Sequence, residues 1–437
     1  MLNSQSILHW LRHRDLPYVT NRAISLVRRY GMTPSTAEHR IVDGVKLLAR
    51  YGCSPTFPTP GRVVDAHPAF CRTVQSMGAE LAVHGYDHVD FRSLSPEGAR
   101  AQFTAAVDAF HDERLEVWGF RCPYLSYDSS LSASLPSNVF RYSSNRAIWW
   151  DVLPSDAAEA GNAIFRTLQN FYRAESAARA VVTPRFQNEV VEIPASIPDD
   201  LQLHDGLKLG DDGPAAAWTE ILKQTYRRGE LFALLFHPES FSQCNAAFEA
   251  ILGAALTLRP QVWIAQLREV SEWWHEKSCF TVDAEKADEG FNLHFHCSAR
   301  ATVLVRGNVP PDSQPWCDGY RFLDDREIFI PGPSKPFIGV EDNAPAGRIA
   351  FLRDQGYLVD STPTSHDCSL YLSAQRLQAF SDERDLIDFI EADPSPLVRY
   401  WRWPSKARSA LCVTGDLDAL SLVDYLCRLV PSMRRVH

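Results

Sequence analysis

The residues with the most chemical capacity in this sequence are His84 and His88, set in Ala79-Glu80-Leu81-Ala82-Val83-His84-Gly85-Tyr86-Asp87-His88-Val89-Asp90. They follow a short apolar run that reads as a buried strand. Two imidazoles four residues apart can converge on one metal ion if the turn after the strand is helical. A divalent ion held in this way usually keeps a position for water, which points to hydrolysis. The pair alone has a second reading, as packed or surface histidines, because i, i+4 histidines also arise by chance.

Four further segments place polar groups at the ends of apolar runs. Gly119-Phe120-Arg121-Cys122-Pro123-Tyr124 ends a strand-like run with an arginine and an X-Pro turn, and Ala233-Leu234-Leu235-Phe236-His237-Pro238 ends one with a histidine. Trp149-Trp150-Asp151 sets bulky aromatics beside a carboxylate, and Ala410-Leu411-Cys412-Val413-Thr414-Gly415 runs straight into Asp416-Leu417-Asp418. Each has an ordinary reading too. The two aspartates could cap a helix starting near Ala419, or form an Asp-x-Asp divalent site of the kind used by sugar-nucleotide transferases. Taken alone, His237 reads as a packed histidine and Arg121 as a structural ion-pair partner. His294 and His296 share one strand face without an acidic partner and read as surface residues, while Asp65 and His67 read as loop or capping groups.

Positioning these groups requires alternating strands and helices. Ile41, Val42, Val45, Leu48 and Ala49 recur at helical spacing, with Gly52 where a helix would end. A short extended piece, Thr56-Phe57, precedes turn chemistry at Pro58-Thr59-Pro60-Gly61. Pro68 to Met77 and Pro96 to Ala109 read as helices, the second capped by Ser95. Val117–Phe120 and Leu231–Phe236 read as strands, and 262–277 as an aromatic-rich helix. Near residue 279 the pattern changes to short alternating runs broken by Pro310-Pro311 and Pro331-Gly332-Pro333, which reads as a small all-β module. From 336 the α/β alternation returns, with helices near 349–355 and 383–392 and extended pieces at 357–359, 370–372 and 397–401.

The 437 residues suffice for two or three domains and a large core. A formal net charge of −10 argues against a nucleic-acid groove as the main surface. The ten cysteines are scattered without a CxxC pair, the amino terminus lacks a signal-peptide pattern and no apolar run reaches membrane-span length. The expectation is a cytoplasmic protein with free thiols.

Taken together, these motifs resemble the polysaccharide deacetylase family, carbohydrate esterase family four. Val42–Gly52, Thr56-Phe57 and Gly78–His88 resemble the segment leading into the family's H-x-x-x-H motif. Arg121–Tyr124 resembles R-x-P-Y, and Leu235–His237 resembles the late L-x-H motif, so that the likeness runs over residues 40–278. The departure is the first motif, T-F-D-D or T-F-D-x-D, which has no counterpart before His84. Its match is Thr414-Gly415-Asp416-Leu417-Asp418, preceded by Trp403–Ala410, which resembles what leads into the family's first strand. The expectation is a circular permutation, with the carboxyl-terminal strand inserted as the first strand and residues 1–40 as added helices; termini that lie close together allow it.

What the resemblance implies is specific. His84, His88 and Asp418 would hold a divalent metal, zinc being the first choice. Asp416 would be the general base toward the attacking water, facing the same way as Asp418 because residues two apart on a strand share a face. Arg121 would hold and orient the Asp416 carboxylate, the Tyr124 backbone N–H would meet the oxyanion, and His237 would protonate the leaving amine. Trp149, Trp150 and Asp151 would lie on the substrate side, and Leu235 would line the acyl pocket. The implied fold is α/β: a distorted (β/α) barrel over 1–278, with catalytic residues at the carboxyl ends of its strands. A carboxyl-terminal strand and helix at 404–437 would complete it, with a small all-β module at 279–335 and an α/β segment at 336–403. Two roles are open for residues 279–403, shaping the substrate cleft or joining subunits of a homo-oligomer. The expected reaction is hydrolysis of an N-acyl amide, acetyl in the first instance, on an amino sugar or related small conjugate. The competing readings are a glycan-binding scaffold without turnover, and a sugar-nucleotide transferase built on Asp416-Leu417-Asp418 with residues 340–437 as its core.

Overall fold

The computed structural model describes residues 29–127, 131, 134–136, 138–152, 170–207, 209–210, 212–307 and 313–428. The expectation of added helices at 1–40 falls on residues 1–28 for most of its length, outside the described residues.

A parallel sheet organises the first part of the chain. Thr56–Thr59 lies between Glu80–Val83 and Ser409–Gly415, and Ser409–Gly415 pairs along its length with Leu231–Phe236. Leu231–Phe236 meets Ala195–Ile197, while Glu80–Val83 meets Gly119–Phe120, which meets Tyr142–Ser143. The two ends then join. Tyr142–Ser143 pairs with Val190–Glu192, and Ala147–Trp149 pairs with Ala195–Ile197, so the 142–149 segment runs beside 190–197. The sheet curls back on itself, and seven chain segments form a circuit of parallel pairs, as expected of a distorted barrel. At the kink between the two ladders the buried Glu192 carboxylate accepts from the backbone N–H groups of Asn145 and Arg146 at 2.6 and 2.7 Å. These are amides that a straight ladder would have paired with backbone.

The strand Ser409–Gly415 occupies the position between Leu231–Phe236 and Thr56–Thr59, although more than 170 residues separate it from either in the chain. All seven of its residues are buried, which explains its unbroken apolar character. The α/β segment has an apolar core of its own, from Ile338 to Leu397, but Ser409–Gly415 is built into the barrel and packs in the barrel's cores instead, so Asp416-Leu417-Asp418 does not belong to that segment and the transferase reading loses its premise.

Several local signals hold. Ser95 Oγ accepts from Gly98 N at the start of helix Pro96–Asp112. Helix Ser35–Ala49 ends before Gly52, which adopts φ +67°. Other expectations are corrected. Pro58 and Thr59 belong to the strand rather than to a turn. Residues 262–277 are not one helix: Val262–Ile264 is a strand paired with Ser409–Leu411, and the helix starts at Leu267, where Gln266 and Glu269 form a capping box. The small β-rich part comprises two antiparallel sheets. One contains Thr281–Ala287, Gly290–His296 and Glu327–Pro331. The other contains Gln314–Pro315, Arg321–Leu323 and Val303–Arg306, and it takes Leu397–Tyr400 from beyond the expected boundary at 335. Val303–Arg306 is buried throughout and therefore needs a partner on each side. The α/β segment is a three-stranded parallel sheet, Val359–Asp360, Lys335–Val340 and Cys368–Leu372, with helices Ala346–Asp354, Ala374–Ala379 and Glu383–Ala392.

All ten cysteines are free thiols. Among the described residues, no helix is long and apolar enough to cross a membrane.

Candidate active site

The chemically capable side chains gather at the carboxyl ends of the barrel strands. His84 follows Glu80–Val83, Arg121 follows Gly119–Phe120, His237 follows Leu231–Phe236, and Asp416 follows Ser409–Gly415. At these ends, backbone leaves the ladder and side chains project over the barrel mouth.

The turn between the two histidines is not helical, so the geometry under which the i, i+4 spacing would bring them together is not the one used. Gly85 adopts φ +70°, and the loop is held by Gln102 of helix Pro96–Asp112, whose Oε1 accepts from Tyr86 N at 3.0 Å and Asp87 N at 2.8 Å. The histidines converge all the same, with ring centroids 5.2 Å apart. Asp416 and Asp418 likewise do not sit on the strand. They lie in the turn beyond it, where Asp416 N donates to Phe236 O, Leu417 N to Pro58 O, and Asp418 N to Asp416 O. Bonds to both neighbouring strands pin this turn. The helix that follows, Leu422–Cys427, is capped by Ser421, which removes the capping reading of the two aspartates.

Candidate ligand atoms of His84, His88 and Asp418 all lie within 4.8 Å of one another, and all three residues are buried. Asp418 Oδ1 lies 3.5 Å from His84 Nε2 and 3.2 Å from His88 Nε2. Neither His84 Nε2 nor Asp418 Oδ1 has a hydrogen-bond partner, although both are buried. Buried polar atoms without partners are costly. A divalent cation would satisfy both, and two imidazoles with one carboxylate suit zinc. The tautomer of His84 is suited to this: its Nδ1–H donates to the Arg121 carbonyl at 2.8 Å, which leaves Nε2 with its lone pair. Burial would push the Asp418 carboxyl up, but the Arg428 guanidinium, with His88 and His84, holds it well below the usual carboxylate range. His88 is pushed down to about 4, chiefly by burial. Arg428 bonds Asp418 Oδ2 at 2.9 Å and also donates to His88 Nδ1. In this arrangement the Nε2 of a neutral His88 carries the proton, so cation binding there exchanges the Arg428 bond for a proton on Nδ1.

Arg121 is fully buried and serves two of its neighbours. Its carbonyl orients His84, and its Nη1 donates to Asp416 Oδ1 at 2.8 Å. Ser144 O accepts from its Nε, and Ser144 Oγ and Thr414 Oγ1 accept from its Nη2. The other Asp416 oxygen, Oδ2, lies 3.8 Å from His84 Nε2. Tyr124 adopts φ +60°, ψ 19°, a left-handed conformation that costs energy for a residue with Cβ and that tends to cluster at functional sites. Its ring packs edge-on against His88 at 4.6 Å.

A cavity of about 340 Å³ opens between these groups, bordered by His88, Tyr124, Leu235, His237, Asp416 and Asp418. His237 Nδ1 lies 2.8 Å from Asp200 Oδ1, a partner that the sequence reading missed. Burial would lower the His237 pKa, but the Asp200 carboxylate outweighs it and the imidazole is raised to about 10. The signal for Asp200 was the Ile197-Pro198-Asp199-Asp200 segment, which ends a short strand as the other site segments do. Leu235 and Leu125 border the cavity, and Trp149 packs behind them in an apolar cluster with Ala147, Ala195 and Ile197 without bordering the cavity itself, so it is not on the substrate side as expected. Trp150 does not reach the cavity: it is buried in the main core and its indole N–H donates to Ser196 Oγ. Asp151 is exposed and does not border the cavity either. His294 and His296 are on the surface as expected, but each has an acidic partner, Glu327 at 3.1 Å and Asp283 at 2.7 Å.

Residues 31–142 match the family model described as polysaccharide deacetylase. This bears out the resemblance over the segment that holds His84, His88, Arg121 and Tyr124. No curated protein matches the chain. Among solved structures, a candidate polysaccharide deacetylase from Mycobacterium smegmatis is 20% identical, with 59% of this chain and 83% of that chain covered and a TM-score of 0.44. The peptidoglycan deacetylase PdaC from Bacillus subtilis is 14% identical, with 57% and 89% covered and a TM-score of 0.31. A carbohydrate esterase family four pseudoenzyme from Bacillus anthracis is 12% identical, with 54% and 61% covered and a TM-score of 0.32. The chain thus spans about three fifths of this last relative's length.

Proposed function

We propose that this chain is a metal-dependent amide hydrolase of the deacetylase type, which removes an N-acyl group, acetyl in the first instance, from an amino sugar or a related small conjugate. The observation that carries the reading is one cavity bordered by a His-His-Asp cluster, an arginine-held aspartate and a carboxylate-held histidine.

His84, His88 and Asp418 would hold the ion. A divalent ion supplies Lewis-acid polarisation and lowers the pKa of water. Asp416 takes the proton from the attacking water, and Arg121 keeps its carboxylate aimed at the cavity. The Tyr124 backbone N–H stabilises the oxyanion as the carbonyl carbon becomes tetrahedral. His237, raised to about 10 by Asp200, is protonated at neutral pH and gives its proton to the departing amine. Leu235 and Leu125, backed by Trp149, exclude water around the acyl methyl. A circular permutation accounts for Asp416 and Asp418 arriving from the far end of the chain.

Two measurements test this. Metal analysis of the purified protein should find one equivalent of divalent metal, lost in both His84→Ala and Asp418→Ala. A screen of N-acetylated and N-formylated amines should show released acid with the wild type and none with Asp416→Asn. Full metal content in Asp418→Ala would break the shared site, and no acid from any amide with metal bound would leave the scaffold reading in its place.

A further inference from the structure

A second cavity lies away from the metal site, where three parts of the chain meet. About 640 Å³ in volume, it is bordered by the end of helix Leu267–Ser278, by the antiparallel sheet at Thr281 and by the parallel sheet at 335–360. Clefts between separately built parts of a chain are common ligand sites, and this volume is within their usual range. It shares no bordering residue with the cavity at His88 and Asp418. Trp274, Phe280, Phe337 and Tyr400 give it an aromatic lining, and Lys277 and Asp354 border it. Lys277 is 8% exposed; its Nζ donates to the Asp354 carbonyl at 2.7 Å and lies 3.5 Å from the Trp274 ring centroid. Among the described residues no carboxylate is in ion-pair contact with it, whereas the cavity's other lysine, Lys335, is paired with Asp360 at 2.8 Å. Arg353 is the remaining charged group on the wall. A lysine buried to this degree is seldom left without such a partner. Burial, with Arg402 and Arg399 nearby, pushes the Lys277 amine down to about 7 against the pull of the Asp354 carboxylate. Burial likewise pushes the Asp354 carboxyl up, to about 6.

We propose that Lys277 is a nucleophilic amine that holds a small aldehyde or ketone with an apolar body as a Schiff base in this cavity, a second functional site independent of the metal centre. A lysine desolvated in an apolar pocket and set beside other cations keeps the lone pair that this chemistry needs. The Nζ lone pair attacks the carbonyl carbon, the C=O π pair moves to oxygen, and one amine proton passes to that oxygen. The resulting carbinolamine loses its hydroxyl as water, with a proton lent by the Asp354 carboxyl and recovered from the iminium nitrogen. One carbonyl is consumed, one imine and one water are formed, and nothing is oxidised or reduced. The lining selects the rest of the ligand. An anion would face Asp354 and Asp360, a cation would face Lys335 and Arg353, and a neutral apolar body meets the four aromatic rings. Those rings also keep bulk water from the imine.

The test is reductive trapping of benzaldehyde by cyanoborohydride on the full-length protein, with the labelled lysines mapped by peptide mass spectrometry. At about pH 7 an amine with a pKa of about 7 is about half neutral, against about one part in 2,500 for an ordinary lysine. After a generous discount for lower basicity and restricted access, Lys277 should still be trapped at least roughly tenfold faster than the exposed Lys46 and Lys406. That ratio should then fall by roughly tenfold per pH unit between about pH 8 and about pH 10, because Lys277 is already neutral while the exposed amines are still losing protons. Lys277→Arg keeps a cation over Trp274 and removes the nucleophile, so the label at this helix end should vanish while Lys46 and Lys406 are labelled as before. The decisive ratio is read in the wild type, so it stands even if the variant fails to fold. A ratio below about tenfold at about pH 7 overturns the proposal, as does a ratio that stays flat with pH; either makes Lys277 an ordinary buried ammonium that ties the barrel helix to the parallel sheet. Chelated, metal-free protein should give the same ratio, and one that falls on metal removal overturns the independence of the two sites. Trapping at Lys277 in a protein that releases no acid from any amide would keep this site and defeat the hydrolase reading; acid release without preferential trapping would do the reverse.

Discussion

Asp200 offers the sharpest test of the site's electrostatics. Its Oδ1 lies 2.8 Å from His237 Nδ1, and His237 is raised to about 10 because this carboxylate outweighs the effect of burial. Opposite charges with centres about 4 Å apart interact by about 4 kcal/mol at an effective dielectric of about 20. At about 1.4 kcal/mol per pKa unit this is roughly three units. Asp200→Asn preserves shape and an acceptor oxygen but removes the charge, so His237 should fall from about 10 to about 7. An NMR titration of the His237 ring in metal-free protein between pH 5 and 11 reads this directly. In turnover, the protonated fraction at pH 8 should drop from nearly all to about a tenth, with little change at pH 6. The stability consequence has a definite sign. A folded pKa above the unfolded value of about 6.5 stabilises the fold fully below that pH, and the contribution is lost as pH rises through about 10 in the wild type and about 7 in the variant. A His237 midpoint that stays above about 9 in Asp200→Asn would refute the claim that Asp200 sets the acidity of His237.

Other outcomes follow from the same geometry. Arg428→Gln removes a cation bonded to both Asp418 and His88, so divalent-metal affinity in a chelator competition should rise by roughly tenfold, and a fall would mean that Arg428 serves the ion by orienting Asp418. Arg384 bonds the fully buried Glu230 carboxylate at 2.6 Å and two backbone carbonyls of residues 177 and 180. Arg384→Ala should therefore cost about 3–5 kcal/mol in urea unfolding, because it strands a buried charge, and a loss within about 0.5 kcal/mol would show that water reaches Glu230. A rearranged chain, cut in the exposed Ser405–Lys406 turn with the original ends joined by a flexible linker, places Asp416 and Asp418 ahead of His84. It should fold and bind one metal with affinity close to wild type, whereas an unfolded product would argue against the permutation.

Much of the barrel was legible because its signals are local. Leu231–Phe236 and Ser409–Gly415 are buried on both faces and therefore read as unbroken apolar strands. The helix at Pro96 announced itself by Ser95 and by proline at its first position. Val262–Ile264 was read as helix because three residues carry no period, and only its partner Ser409–Leu411 makes it a strand. Closure through 142–149 and 190–197 was hidden for the same reason, since those ladders are two or three residues long and exist through their pairing.

The His84–His88 spacing, the strand-end positions of Arg121 and His237, and the Asp416–Asp418 pair are properties of the sequence, and they sufficed to name a hydrolytic chemistry. Tertiary structure decided the rest. It set Gly85 in a left-handed turn, and this turn, not a helical one, brings the two imidazoles together. It placed a carboxyl-terminal strand between Thr56–Thr59 and Leu231–Phe236, which brings Asp418 to 3.5 Å from His84 across a sequence separation of 334. It supplied Asp200 to His237 from a strand-end segment that the sequence reading had not singled out. The physical reason is common to all three: each depends on which strands lie side by side, and that is a property of the closed sheet and of no single segment.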